Sequence, residues 1–444
     1  MKGDFTRNTF DPTKHYSQVL MQQGRVQLDA DWNEQSAIML NGLRSFITDL
    51  VGPSWAVKNG FEIGIVDDAK NDLSIAAGRF YVDGMACDNA AELRYSAQPG
   101  IAESQLKWNP KNSYLVYLDA WEQLVTYVED PSLREIALGG PDTTVRTQVM
   151  WQVQLAPMDA GVANTNRCEQ GRAALTKNLA RSAMPALSVW ALRDESDEHC
   201  AVNPDAAYRG PENQLYRVEI HDGGTLKDGK PTFKWSRENG SVIFPLAEAL
   251  AGLGTGTVTA KLAHLGRDAE LGLSEGDWVE LVDSVHVASN SHQPLLRVIA
   301  IDLEQQTVTL SGISVVSTAP ARYAFLRRWD QRRNVGDSGV VAVKEKGSVG
   351  GDAITLEDGV TVQFQAGGDY RSGDYWLIPA RTASGDIAWP AAVGGVAQAL
   401  PPSGVEHHFA LLGVLSPPVG TGPKKWTLAS CRCALPAGFP NCPP

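Results

Sequence analysis

The stretch SYLVYLDAWEQLVTYV, residues 113–128, decides the fold class. Aromatic, β-branched and other apolar residues crowd it, and neither Gly nor Pro interrupts it, which is strand composition. On either side the same signal returns, in LSIAAGRFYVDGMAC at 73–87 and TQVMWQVQL at 147–155. From about residue 55 to 155 the period is two, and turn signals separate the runs: Asp83-Gly84, Gln98-Pro99-Gly100 and Gly139-Gly140-Pro141-Asp142.

Upstream the period changes. In WNEQSAIMLNGLRSFITDL, residues 32–50, Trp32, Met39, Leu43, Phe46 and Leu50 recur at helical spacing, and Ile38, Leu40 and Ile47 widen the face. Gly52-Pro53 ends the run. The expected class is therefore mainly β (α+β): several small sandwich- or barrel-like subdomains with one long N-terminal amphipathic helix. The expected divisions are an arm plus helix at 1–52, a β-domain at 53–155, a connector with one short helix at 156–210, a β-domain at 211–335, a β-domain at 336–430 and a Pro/Cys tail at 431–444. Within 211–335, LYRVEIHDGG and TFKWSRENGSVIF are expected to form a hairpin. GDWVELVD, LLRVIAID and TVTLSG, further on, have the pattern of a small barrel.

The chain has 444 residues, 43% hydrophobic and 20% charged, enough for a sizeable core. A net charge of −12 argues against nucleic acid or anionic lipid as partner. The start, MKGDFTRNTFDPTKHY, has no apolar signal region, and no apolar run is long enough to span a membrane. The expectation is cytoplasmic synthesis without membrane insertion. The cysteines Cys87, Cys168, Cys200, Cys431, Cys433 and Cys442 are too sparse for a disulfide scaffold. Those of the tail are expected to be free thiols, because no CxxC pair or nearby His supplies a zinc set.

Each candidate chemical motif has a plainer structural explanation. Asp29, Asp31 and Asn33 alternate as in a calcium loop, but the sixth and twelfth positions hold Glu34 and Leu40 where Gly and a bidentate Glu are needed. A helix cap at Asp31, closed by Glu34 as a capping box, fits better, with Asp29 adding charge at the helix start. Gly252-Leu-Gly254-Thr-Gly256 precedes a strand-like TVTAKL, not the helix a dinucleotide loop needs. Gly336-Asp337-Ser338-Gly339 lacks the rest of a serine-protease context, so a β-turn is expected. His407 and His408, next to Glu406, would point to opposite faces of a strand, one buried and one exposed, and His221-Asp222 enters a Gly-Gly turn. No catalytic residue, metal site or cofactor is assigned. Arg327, Arg328, Arg332 and Arg333 flank Trp329-Asp330, a composition found at interfaces and equally in a solvated stripe. With Trp32, Met39, Leu43, Phe46 and Leu50 they are the candidate interface residues.

Several blocks together carry a resemblance: MKGDFTRNTFDPTKHYSQVLMQQGRVQLDADWNEQ, AAGRFYVDGMACDN, YLDAWEQLVTYVEDPSLREIALGGPDTTVRTQVMWQV, YRGPENQLYRVEIHDGG with FKWSRENGSVI, EGDWVELVD, and YRSGDYWLIPART with SGVEHHFALLGVL. The chain resembles, over nearly its full length, an uncharacterised domain family associated with gene clusters for phage-tail-like contractile injection particles. GRFYVDG is similar to modules of tail and fibre proteins. The resemblance implies a structural, non-enzymatic subunit at or near the baseplate, or a fibre or spike adaptor. Expected partners are further copies of the chain and other tail or baseplate proteins, within a particle released by lysis. The alternatives are a carbohydrate-binding or glycan-degrading fibre protein, or a cargo effector. No long β-helix extension follows the family-like part, which weighs against receptor binding or polysaccharide cleavage.

Overall fold

The computed structural model describes residues 1–67, 71–101, 103–158, 166–192, 208–251, 256–288, 292–311, 323–333, 335–348, 353–392, 395–418 and 425–435. Its architecture is mainly β, in several small sheets, with one long helix near the N-terminus. No helix among the described residues is long and apolar enough to cross a membrane.

The chain forms two compact units that interleave in sequence. Unit 1 comprises residues 1–9, 124–146 and 181–405, and unit 2 comprises 10–123, 147–180 and 406–444. The consecutive divisions expected from the sequence are corrected by this arrangement. Within unit 2 the strand Ser113–Val125 lies beside His407–Ser416, which in turn pairs with Thr427–Ser430. Local periodicity reports that a segment is extended, not which distant segment it pairs with. The 336–430 block is therefore split at residue 405, and the 1–52 block at residue 9.

In unit 2, Gly78–Val82 and Met85–Asn89 form the hairpin that the Asp83-Gly84 pair announced. Both turn residues have positive φ, 46° and 77°, as a two-residue turn with right-handed strand twist requires. The core includes Phe61, Phe80, Val116, Leu118, Leu412 and Leu415, with the ring of Trp151 edge-on to Phe61 at 4.7 Å.

In unit 1 the expected hairpin is present as Gln214–Ile220 against Thr232–Ser236. Alternation divides its side chains. Tyr216, Val218, Ile220, Phe233 and Trp235 enter an apolar core shared with Val189, Val362, Phe364 and Trp376. The expected barrel is a six-stranded sheet in the order Ile243–Pro245, Phe325–Trp329, Trp278–Val282, Leu296–Asp302, Thr307–Ser311 and Thr257–Lys261. Its two end strands are stitched together by a Leu246–Leu262 bridge, with Ala263 N donating to Pro245 O at 2.8 Å. The interior is filled by Phe244, Ala260, Leu262, Val279, Leu281, Val298, Val308, Leu310 and Leu326.

The long helix runs Asp29–Val51, three residues longer at its start than the periodic run 32–50. Its N-cap is Leu28, in extended conformation, without a side-chain cap bond. The expected cap at Asp31 and its box with Glu34 are therefore not formed: Asp31 N already donates to Leu28 O, which places Asp31 inside the first turn. Asp29 and Asp31 act there through charge on the positive end of the helix. At the other end Gly52, at φ 92°, donates to Thr48 O at 2.8 Å, the stop that Gly52-Pro53 predicted.

The free-thiol expectation for the tail is overturned. Cys431 is buried and disulfide-bonded to Cys168, with 5.3 Å between their Cα atoms, and Cys433 is also disulfide-bonded. Cys200 and Cys442 lie outside the described residues, and Cys87 is a buried free thiol. The partners of Cys431 meet because the helix Arg167–Leu179 packs on the strand His407–Ser416: a Cβ at Gly171 would sit 2.9 Å from Leu411 and Val414. The bridge spans 263 residues, so it constrains a long loop in the unfolded chain. Cys168→Ser or reduction is expected to destabilise unit 2 by about 2–4 kcal/mol, read as a lowered denaturation midpoint of the oxidised protein after reduction.

Candidate functional site

Two features of the described residues stand out, one in each unit. The first is the helix face. Trp32 is 78% exposed, Met39 66%, Leu43 55%, Phe46 63% and Leu50 60%. These are the five residues whose periodicity predicted the helix, and none is buried in this chain. Written in heptads with Leu43 at position a, the row reads d, d, a, d, a, the seam of a coiled coil. At 1.5 Å per residue, 23 helical residues make a rod of roughly 34 Å.

One flank of this helix is docked, although most of its residues are exposed. Ala30 is buried, and Arg44 makes a bidentate ion pair with Glu122 of the strand Ser113–Val125, at 2.8 and 3.4 Å. The hairpin turn lies directly beneath: a Cβ at Gly84 would fall 2.6 Å from the Arg44 backbone. Opposite the exposed row, Glu34, Ile38 and Asn41 line a small pocket with Phe10, Pro12, His15 and Tyr16 of the preceding arm. The row thus faces away from the docked flank at Ala30 and Arg44.

The second feature is a buried charge cluster in unit 1, between the five-stranded sheet and the barrel sheet. Its members sit at one parity of otherwise apolar strands: Arg217 and Glu219, Lys234, Glu280, and Arg327 with Trp329. Lys234 Nζ lies 2.8 Å from Glu280 Oε2 and 3.5 Å from Glu219 Oε1. Arg217 Nε donates to Glu219 Oε2 at 2.6 Å, and Lys2 Nζ lies 2.9 Å from Glu219 Oε1. Trp329 Nε1 donates to Glu280 Oε2 at 3.0 Å, while Lys234 sits 4.4 Å above its ring. Asn239 Nδ2 donates to Met1 O and Gly3 O, fixing the first residues of the arm inside the unit.

Four cationic side chains, Lys2, Arg217, Lys234 and Arg327, thus face two carboxylates. Burial lowers the pKa of Lys2 to about 8, against the pull of Glu219. Burial alone would raise the Glu280 carboxyl, but Lys234 and Lys2 hold it down at about 2, and Glu219 is lowered well below its usual range in the same way.

These positions correct part of the interface expectation. Arg327, Arg328 and Trp329 are buried and belong to the interior of unit 1. Arg328 pairs with Asp330 at 3.0 Å, and Arg327 Nε donates to Gly240 O at 2.9 Å. Arg332 is exposed and pairs with Asp277 at 2.6 Å, and Arg333 is exposed. Arg beside Trp suits a surface as well as an interior, and the strand alternation of FLRRW puts Arg327 and Trp329 on the side of Glu280 and Arg328 on the other, toward Gly272 and Asp330.

Of the remaining motifs, Gly336–Gly339 is the expected turn, and a Cβ at Gly339 would collide with the Trp278 ring. Residues 252–255 lie outside the described residues, and a strand, Thr257–Lys261, follows them. His407 and His408 each take a separate carboxylate, Asp119 at 2.7 Å and Asp83 at 2.9 Å. Both are half-buried, where one buried and one exposed was expected. His221-Asp222 lies at the end of Gln214–Ile220, before the Gly-Gly turn, and the fold brings His292 to it, a residue that no motif marked.

The chain belongs to DUF6519, a family of unknown function whose model matches residues 1–166 and again 157–432. No curated protein and no solved structure matches the chain.

The charge cluster makes acid stability diagnostic. The folded pKa of Glu280 lies below its unfolded value, so its stabilisation is full above about pH 4.5 and is lost as pH falls toward 2. Its loss should amount to on the order of 3 kcal/mol. Glu280→Gln is expected to be less stable at pH 6 by about 3–5 kcal/mol, because Lys234 loses its closest partner. The gap from wild type should narrow between pH 4.5 and 2.5, measured by urea unfolding with Trp fluorescence. For the helix platform, Gly84→Ala combines a strained φ with a backbone collision, and a loss of at least 1–3 kcal/mol in the same assay is expected of it.

Proposed function

We propose that this chain is a structural subunit of a phage-tail-like contractile injection particle, at or near the baseplate or as a fibre or spike adaptor. It joins its neighbours through the helix Asp29–Val51. The particle assignment rests on the sequence resemblance described above. The assembly role is carried by one observation: the apolar row Trp32, Met39, Leu43, Phe46 and Leu50 is exposed along a helix that docks through another flank, at Ala30 and Arg44.

An exposed contiguous row of this size marks an interaction surface, since a lone subunit gains nothing by hydrating it. Its heptad spacing suits another helix laid along it with side chains interlocking. A second copy of the same chain supplies such a helix, and a two-fold arrangement would bury the same patch on both. Other tail proteins would then add to that homo-oligomer.

Light scattering at 1–50 µM, a range chosen to span roughly micromolar affinities, tests this. The wild type is expected to self-associate. Leu43→Glu and Phe46→Glu, both at exposed positions, are expected to keep the wild-type circular dichroism and to weaken association by about 10-fold or more each. A wild type that stays monomeric throughout and copurifies with no tail protein would sink the proposal.

A further inference from the structure

The sequence motif His221-Asp222 is completed in space by His292. One ligand atom from each of the three residues lies within 4.8 Å of the other two. His292 Nε2 is 3.4 Å from Asp222 Oδ1, and the two imidazole rings meet edge-on at 4.4 Å between centroids. Metal–ligand bonds of about 2.0–2.1 Å at tetrahedral angles put neighbouring ligand atoms about 3.3 Å apart. The Asp222–His292 pair already has this spacing.

Three local features favour an ion over a chance cluster. His221 is 5% exposed, and its Nδ1 is buried without a hydrogen-bond partner. An orphaned buried ring nitrogen calls for a missing water or ion. Asp222 is oriented from behind: Thr232 Oγ1 donates to Oδ2 at 2.6 Å, leaving Oδ1 directed at His292. A second-shell bond of this sort holds a ligating carboxylate in place. The backbone is pinned as well, with His221 N donating to Thr232 O at 2.8 Å and Thr232 N to Asp222 O at 3.1 Å. The cation acting on His221, Lys234, is bound to Glu280 at 2.8 Å, so its charge is met locally.

We propose that His221, Asp222 and His292 bind one divalent transition-metal ion of the zinc or cobalt kind. Two imidazoles and one carboxylate select such borderline ions over magnesium or calcium, which take oxygen ligands. Asp222 is 51% exposed and His292 35%, so the ion is reached from solvent. Three protein ligands leave at least one position for water or for a ligand from outside. Closure asks for at most about 1.5 Å of movement, the difference between the 4.8 Å within which the ligand atoms lie and a tetrahedral edge. His292 precedes the strand Leu296–Asp302 in a non-regular segment and is the residue placed to make that movement.

The test uses the full chain after chelator treatment, titrated with Co²⁺ in visible absorption and then with Zn²⁺ in competition. The expected result is one Co²⁺ per chain, displaced by Zn²⁺, with binding weakened at least about 10-fold in both His292→Ala and Asp222→Asn, and unchanged in His408→Ala. Circular dichroism of the variants checks their folding, which should hold because both substituted side chains are partly exposed. Absence of a coloured complex, wild-type binding in either ligand variant, or loss of binding in His408→Ala instead would each overturn the site.

Discussion

Unit 1 depends on a balance of buried charge. Its five-stranded sheet and its barrel sheet meet through Lys234, Glu219, Glu280, Arg217 and Trp329. A buried ion pair is weak evidence of net stability, since an apolar replacement can do as well. What it imposes is register. If Thr232–Ser236 slipped by one residue, Lys234 would change faces, and both carboxylates would lose it while Phe233 entered the charged layer. The same layer receives the first residues of the chain, because Lys2 joins Lys234 at one oxygen of Glu219 and Asn239 takes the carbonyls of Met1 and Gly3. Local strand preference, sheet docking and the course of the arm are thus tied to one set of groups.

Much of this could be read from local sequence, and what could not has a common cause. The Asp83-Gly84 hairpin, the Gly52 helix stop, the barrel of GDWVELVD and its neighbours, and the turn at Gly336–Gly339 all follow from short-range chemistry. The helix start did not, because a capping box is one of several ways to begin a helix, and here Leu28 begins it without a side chain. The interleaving of the units, the Cys168–Cys431 bridge and the arrival of His292 beside His221 are long-range facts, which no window of sequence contains. The charge cluster lies between these cases. Single charges at one parity in LYRVEI, TFKWS, WVELV and FLRRW are visible in the sequence, but which charge meets which depends on how the two sheets dock.

The helix Asp29–Val51 shows what a correct local reading leaves open. An amphipathic period ordinarily means that the apolar side packs on the protein's own core. Here the hairpin turn and Glu122 hold the opposite flank, and the large side chains look outward. Periodicity specifies that a face will be covered but leaves open by what. That distinction separates a folded monomer from an assembly subunit, and it is the reason the functional proposal rests on exposure and not on the pattern alone.

The Cys168–Cys431 bridge also has a mechanical meaning. Residues 181–405, the bulk of unit 1, lie wholly between its two cysteines. Tension applied between the helix Asp29–Val51 and the segment at Cys431 therefore has a covalent route that passes through the two sulfurs. The segment 181–405 is left slack as a side branch. A subunit pulled along this route would carry load along residues 52–168, the 124–146 stretch of unit 1 included, and across the sulfurs, and the 181–405 branch would be bypassed until the bridge was reduced.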